Sequence, residues 1–213
     1  CAFYGTDNGG IVNADVLTLE NVRIIADHEH SYSGGKCTGC GAPCPHSSVD
    51  NATGICKDCR TQLEAKVTYT GKAPVFYTSF RSAIDSVLHN QKEQVTVTLL
   101  NYKYNLGNET LYLENNNNIR LDLNGHTMSG SGRIVVGENS ALTVANGKLD
   151  SKLTVEVAGD LTVEDDCDGV GTIRATNVES LVTICGGDIG KLSLPATDTE
   201  SLKNIKLSGG YFE

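Results

Sequence analysis

Along the second half of the chain, apolar and polar residues alternate in short runs, and each run closes on Asn or Gly. Leu121-Asp122-Leu123-Asn124-Gly125 is followed by Leu142-Thr143-Val144-Ala145-Asn146-Gly147 and Leu161-Thr162-Val163. Val182-Thr183-Ile184-Cys185-Gly186-Gly187 and Ile205-Lys206-Leu207-Ser208-Gly209-Gly210 complete the series, with successive starts 21, 19, 21 and 23 residues apart. Alternation inside a run predicts a strand with one buried face. Recurrence near every 20 residues predicts coils stacked on one another. Further strand patterns fit between the runs, at 133–136, 153–157, 171–175 and 191–194. Two or three strands per coil predicts an all-β parallel β-helix. A leucine-rich repeat would need a helix or an Asn/Cys consensus in each repeat, and a sandwich would space its strands at about 8–12 residues without coil-to-coil similarity. Aligning the runs on their first apolar residues predicts two interior columns. One is Leu121, Leu142, Leu161, Val182 and Ile205; the other is Leu123, Val144, Val163, Ile184 and Leu207. Asn and Gly then fall at corners, where positive φ is needed.

Upstream, the pattern changes to a helical period. TSFRSAIDSVLHNQ places Phe80, Ala83, Ile84, Val87 and Leu88 on one face, with Thr78 or Ser79 as N-cap. VTVTLL (95–100) follows as a strand. Such a helix, set before the first coil, would cover the open end of a β-helix and protect its edge.

Composition narrows the class. The 23 Gly, 4 Pro and absence of Trp suit short strands joined by tight turns. A net charge of −9 argues against a nucleic-acid partner and an anionic membrane surface. No apolar run approaches the roughly 20 residues of a membrane span, and no leader peptide is visible. Residues 11–24 already read as a strand-bearing segment and SGGYFE stops inside one, which predicts a piece of a longer, exported multi-module chain.

The candidate chemistry is concentrated between His28 and Cys59. Its ligand-type residues form pairs: His28/His30, Cys37/Cys40, Cys44/His46 and Cys56/Cys59. Two Cys-x-x-Cys pairs separated by 15 residues have zinc-site spacing. The first expectation is a four-thiolate site from Cys37, Cys40, Cys56 and Cys59. A second site would use His28, His30, Cys44 and His46, interleaved with the first, so one or two zinc ions are expected. Disulfides between pairs, histidines that are only exposed loop residues, and a redox Cys-x-x-Cys are the competing readings; the last lacks the helix it would need. Four thiolates close a site to catalysis, and the intervening SSVDNATG supplies no apolar interior, so metal would order the segment. Cys167 and Cys185, 18 apart, are expected on neighbouring coils as stacked thiols or a disulfide.

No hydrolase elbow, metalloprotease or phosphate-loop motif occurs. Asp122, Asp150, Asp160, Asp165, Asp166 and Asp168 are the acidic candidates, and VEDDCDG could offer Ca²⁺ turn oxygens. A solvated turn is the commoner outcome for such a run. His126, within Asn124-Gly125-His126-Thr127, is a candidate acid/base.

YTSFRSAIDSVL, VTVTLL and LYLENNNNIRLDLNGHTMSGSG together resemble the opening of right-handed parallel β-helix modules, pectate-lyase-like in fold, in large Gram-positive surface proteins. The similarity runs from Tyr77 to the end and is most specific at residues 121–130. It implies fold and a cell-surface or secreted setting, without implying an activity, and it implies that His126 is a structural histidine of a recurrent turn. The Cys37–Cys59 segment resembles Cys/His inserts of such proteins, whose role is structural or unassigned. The expected organisation is an N-terminal β segment (1–27), a Cys/His zinc module (28–62), and a capping helix with the β-helix (63–213). The expected role is non-catalytic: a structural or adhesion module with a glycan or host surface ligand. A polysaccharide lyase or glycoside hydrolase with acids on one solenoid face is the alternative.

Overall fold

The computed structural model describes residues 29–88, 93–102, 104–194 and 204–212, so the strand expected within 11–24 and His28 lie outside the described residues. The chain divides into two compact units, one comprising residues up to 48 together with 56–61, the other residues 49–55 and 62–213.

The described part of the first unit carries only a hairpin, β1 (Tyr32–Ser33) and β2 (Lys36–Cys37), paired antiparallel. Gly34 and Gly35 form its two-residue turn with φ of 57° and 79°, the left-handed backbone such a hairpin demands. Among the described residues of this unit, the buried apolar side chains are Cys37, Cys44, Cys56 and Cys59. Among those described residues no aliphatic or aromatic side chain is buried.

The second unit is a parallel β-solenoid of about five turns. It opens with β3 (Ala65–Thr68), β4 (Val75–Tyr77), α1 (Phe80–Val87) and β5 (Val95–Leu99), and continues through β6 (Thr110–Leu113), β7 (Asn118–Met128), β8 (Arg133–Val136) and β9 (Ala141–Leu149). Then come β10 (Thr154–Val157), β11 (Asp160–Val163), β12 (Cys167–Ala175), β13 (Leu181–Ile184), β14 (Asp188–Ser193), β15 (Ile205–Leu207) and β16 (Tyr211–Phe212). Each coil contributes three strand stretches. The first parallel face stacks β5, β7, β9, β11, β13 and β15. The long strands β7, β9, β12 and β14 bend around a corner and form a second face with β16. The third face stacks β6, β8, β10, β12 and β14.

Along the first face the ladder pairs Ile119, Leu142, Leu161, Val182 and Ile205 in one inward column, and Leu121, Val144, Val163, Ile184 and Leu207 in the next. The expected columns are therefore correct from Leu142 onward and two residues out of step at the first coil. The reason is local. Asp122 pairs with Ala145 but His126 pairs with Gly147, so the first coil carries two extra residues at its Asn-Gly corner. The first run therefore begins at Ile119 rather than Leu121, and a column started at Leu121 is displaced by two residues. Asn124 and Asn146 do adopt positive φ, at 55° and 51°, as corner residues should.

At the solenoid's start, β4 and β3 add antiparallel to β5. Helix α1 packs on these strands through Phe80, Ala83, Ile84 and Val87, all buried, and Ser79 caps it by accepting the Ser82 N–H. The apolar stripe at helical spacing is what makes this segment a helix against the sheet rather than another strand.

Polar side chains on the first face are tied across coils. Arg120 donates from Nε and Nη2 to Glu164 at 3.1 and 2.7 Å, two coils away, and lies 3.7 Å from Asp122 and 4.0 Å from Asp166. The hydrogen bond to Glu164 raises the guanidinium's pKa further. Asn146 joins the same cluster, its backbone N–H donating to Asp166 and its side-chain amide to Asp122. Replacing Arg120 with Met removes the charge-assisted bonds and leaves three carboxylates facing one another. The expected cost is about 1.5–3 kcal/mol, read by urea unfolding; a change below about 0.5 kcal/mol would place the cluster among ion pairs without consequence.

Cys167 is buried and its thiol donates to the Gly147 carbonyl, while Cys185 follows Ile184, the partner of Val163. The two thiols are thus not stacked on each other, and both are free. Cys167 lies three positions beyond Glu164, which follows Val163 as Cys185 follows Ile184. Burial holds the His126 imidazole below its ordinary value, against the pull of Asp122. Its Nε2 lies 3.4 Å from the Asn124 amide, which also donates to the Asn51 carbonyl. Asp150 accepts from its own turn, at Lys152 N and Ser151 Oγ.

Candidate metal centre

Both Cys-x-x-Cys pairs fold into the same small loop. In the first, the Gly41 N–H donates to the Cys37 carbonyl and the Cys37 N–H to the Ala42 carbonyl. In the second, the Arg60 N–H donates to the Cys56 carbonyl and the Cys56 N–H to the Thr61 carbonyl. The residue after the second cysteine takes positive φ in each, 76° at Gly41 and 61° at Arg60. This reversal aims both thiols of a pair at one point.

The two loops serve different groups. Cys44, His46, Cys56 and Cys59 present ligand atoms that all lie within 4.8 Å of one another; His30, Cys37 and Cys40 form a second such group. In the first, Cys44 Sγ lies 3.8 Å from Cys56 Sγ, and Cys59 Sγ lies 3.5 Å from His46 Nδ1. In the second, Cys40 Sγ lies 3.6 Å from His30 Nδ1. The expected four-thiolate site of Cys37, Cys40, Cys56 and Cys59 is not the grouping found, nor is the interleaving of pairs. Neighbouring pairs in sequence come together instead. The β1–β2 hairpin returns His30 beside the first loop, its ring stacked on Tyr32. A bridge from Lys36 to Pro43 and a bond from the Lys57 N–H to the Ser48 carbonyl bring 44–46 against the second loop. Turns this short leave each loop near the ligands closest to it in the chain.

The two groups differ in exposure. Cys44, Cys56 and Cys59 are buried and His46 half-buried, whereas in the other group Cys37 is buried, Cys40 half-buried and His30 exposed. Burial pushes the Cys44 thiol up to about 12, and its neighbours Cys59 and Cys56 add to the rise. The Cys59 thiol moves down: burial opposes this, but hydrogen bonding with the Thr61 hydroxyl and backbone and with the Cys56 and Cys44 thiols outweighs it. Crowded thiols with uneven acidity lose their protons together when a cation supplies the compensating charge. Either group could hold a metal ion. Among the described residues no group made up of carboxylates converges in this way.

No known family matches the chain, and neither the curated proteins nor the solved structures give a match.

Proposed function

We propose that the chain is a non-catalytic structural or adhesion module of a secreted or cell-surface bacterial protein, in which zinc orders the Cys/His unit and the solenoid displays a ligand-binding face. The observation that carries this reading is the four-ligand group of Cys44, His46, Cys56 and Cys59 in a unit whose described residues bury only cysteines as apolar side chains. A tetrahedral zinc site with Zn–S near 2.3 Å and Zn–N near 2.1 Å has S···S edges of about 3.8 Å and S···N edges of about 3.6 Å. The 3.8 Å Cys44–Cys56 and 3.5 Å Cys59–His46 separations have that size. Cys₃His ligation fills the coordination sphere, which favours a structural over a catalytic ion. His30, Cys37 and Cys40 would take a second zinc. The pectate-lyase-like likeness of residues 77–213 supports the surface setting.

The acids offer an enzyme little. Asp122, Glu164 and Asp166 gather around Arg120, which pairs with all three. A panel of neutral and acidic polysaccharides incubated with the zinc-loaded chain is expected to yield no new reducing ends and no unsaturated sugars. Either product, if lost on mutation of a face carboxylate, would replace this reading with that of a carbohydrate-active enzyme.

A further inference from the structure

The third solenoid face differs in charge from the rest of the chain. Its register places Thr110, Arg133, Thr154, Thr172 and Lys191 in one outward column, and Tyr112, Val135, Glu156, Arg174 and Ser193 in the other. A shallow concavity of about 620 Å³ lies over these strands from Ser131 to Leu194. It contains three cations, Arg133, Arg174 and Lys191, and one acid, Glu156, a local balance of +2 in a chain of −9. Glu156 lies 3.4 Å from Arg133 and 3.7 Å from Arg174, so it steadies both guanidiniums, which stay 56% and 62% exposed. Each retains N–H donors for another acceptor. Lys191 makes no ion pair among the described residues. Guanidiniums this exposed add little to folding through their ion pairs.

We infer that this face binds a linear polysaccharide bearing carboxylate or sulfate groups, laid across the strands. The inference rests on the proposed display role and names its ligand class. Charge complementarity is the first reason. Spacing is the second: parallel strands repeat every 4.7–4.9 Å, so Arg133 and Lys191, three strands apart in one column, are offset by about 14 Å, while Arg174 stands in the adjacent column and shares Glu156 with Arg133. A row with cations at both ends suits an extended anionic polymer better than a compact ligand. Thr154 and Thr172 stand within the row and offer hydroxyls to sugar oxygens. Tyr112, 53% exposed at the end of the neighbouring column, offers a ring to a sugar face.

The test measures binding of the zinc-loaded chain to hyaluronate, dextran sulfate, uncharged dextran and poly-glutamate, with Arg174→Gln and a matched control, Lys206→Gln, on the first face. Binding to hyaluronate reports a carboxylate ligand and binding to dextran sulfate a sulfate one. Arg174→Gln is expected to weaken the bound glycan at least tenfold, Lys206→Gln less than twofold, and dextran should not bind. Equal losses in the two variants, no binding to either anionic glycan, or poly-glutamate binding as tightly as the glycans would overturn the inference while leaving the module reading intact. Cleavage of a bound glycan, with binding still lost in Arg174→Gln, would uphold the face and overturn the non-catalytic reading.

Discussion

Replacing Cys56 with alanine is expected to lower the chain's zinc content by one ion and to weaken zinc binding at the four-ligand group by more than a hundredfold. Disturbing a group that merely orients a ligand already costs 10–100-fold in metal affinity, and Cys56 would be a ligand itself, fully buried and 3.8 Å from the Cys44 sulfur. Structural zinc contributes about 10–16 kcal/mol to small zinc-ordered domains, and among the unit's described residues no aliphatic or aromatic side chain is buried to take its place. Cys40→Ala is expected to remove the other ion only, because Cys40 belongs with His30 and Cys37. Elemental analysis of the two variants beside the parent reads this directly. If either substitution released both ions, one shared site would replace two. If neither changed the metal content, the cysteines would not be ligands.

The second large effect is expected in the solenoid. Leu142 sits in the inward column between Ile119 and Leu161 and is 1% exposed. Its truncation to alanine should cost about 2–5 kcal/mol, because the cavity lies between coils that cannot close on it from either side. Leu207, in the last described coil of the first face, is 55% exposed, and Leu207→Ala should stay within about 0.5 kcal/mol. Urea unfolding followed by far-UV circular dichroism gives both values. Similar losses at the two positions would contradict the difference in burial between the middle of the stack and its last described coil.

The alternating runs were sufficient to reveal the coils, because a strand with one buried face must repeat with period two. The helix was equally legible, since Phe80, Ala83, Ile84 and Val87 share a face at no other period. The column at the first coil was not. Two inserted corner residues between Asp122 and His126 alter the register without altering the Asn-Gly signal. The Cys/His segment shows the same division. Spacing identifies the ligand types and the Cys-x-x-Cys loops, but not which loop meets which partner. That choice depends on the Gly34-Gly35 turn and on the bond from Lys57 to Ser48, and the second of these leaves no pattern in the sequence. The charge of the third face was invisible for a related reason: Arg133, Arg174 and Lys191 are far apart in the chain and become neighbours only through coil stacking.

Hydrogen exchange of the intact chain before and after chelation tests most directly whether metal–thiolate bonds order the Cys/His unit. The amides of Cys37, Gly41, Cys44, Cys56 and Arg60 are each bonded within that unit. Their protection is expected to disappear on chelation and return with zinc, while amides of β9, β11 and β12 remain unchanged. Unaltered protection of those five amides in the metal-free chain would contradict the account.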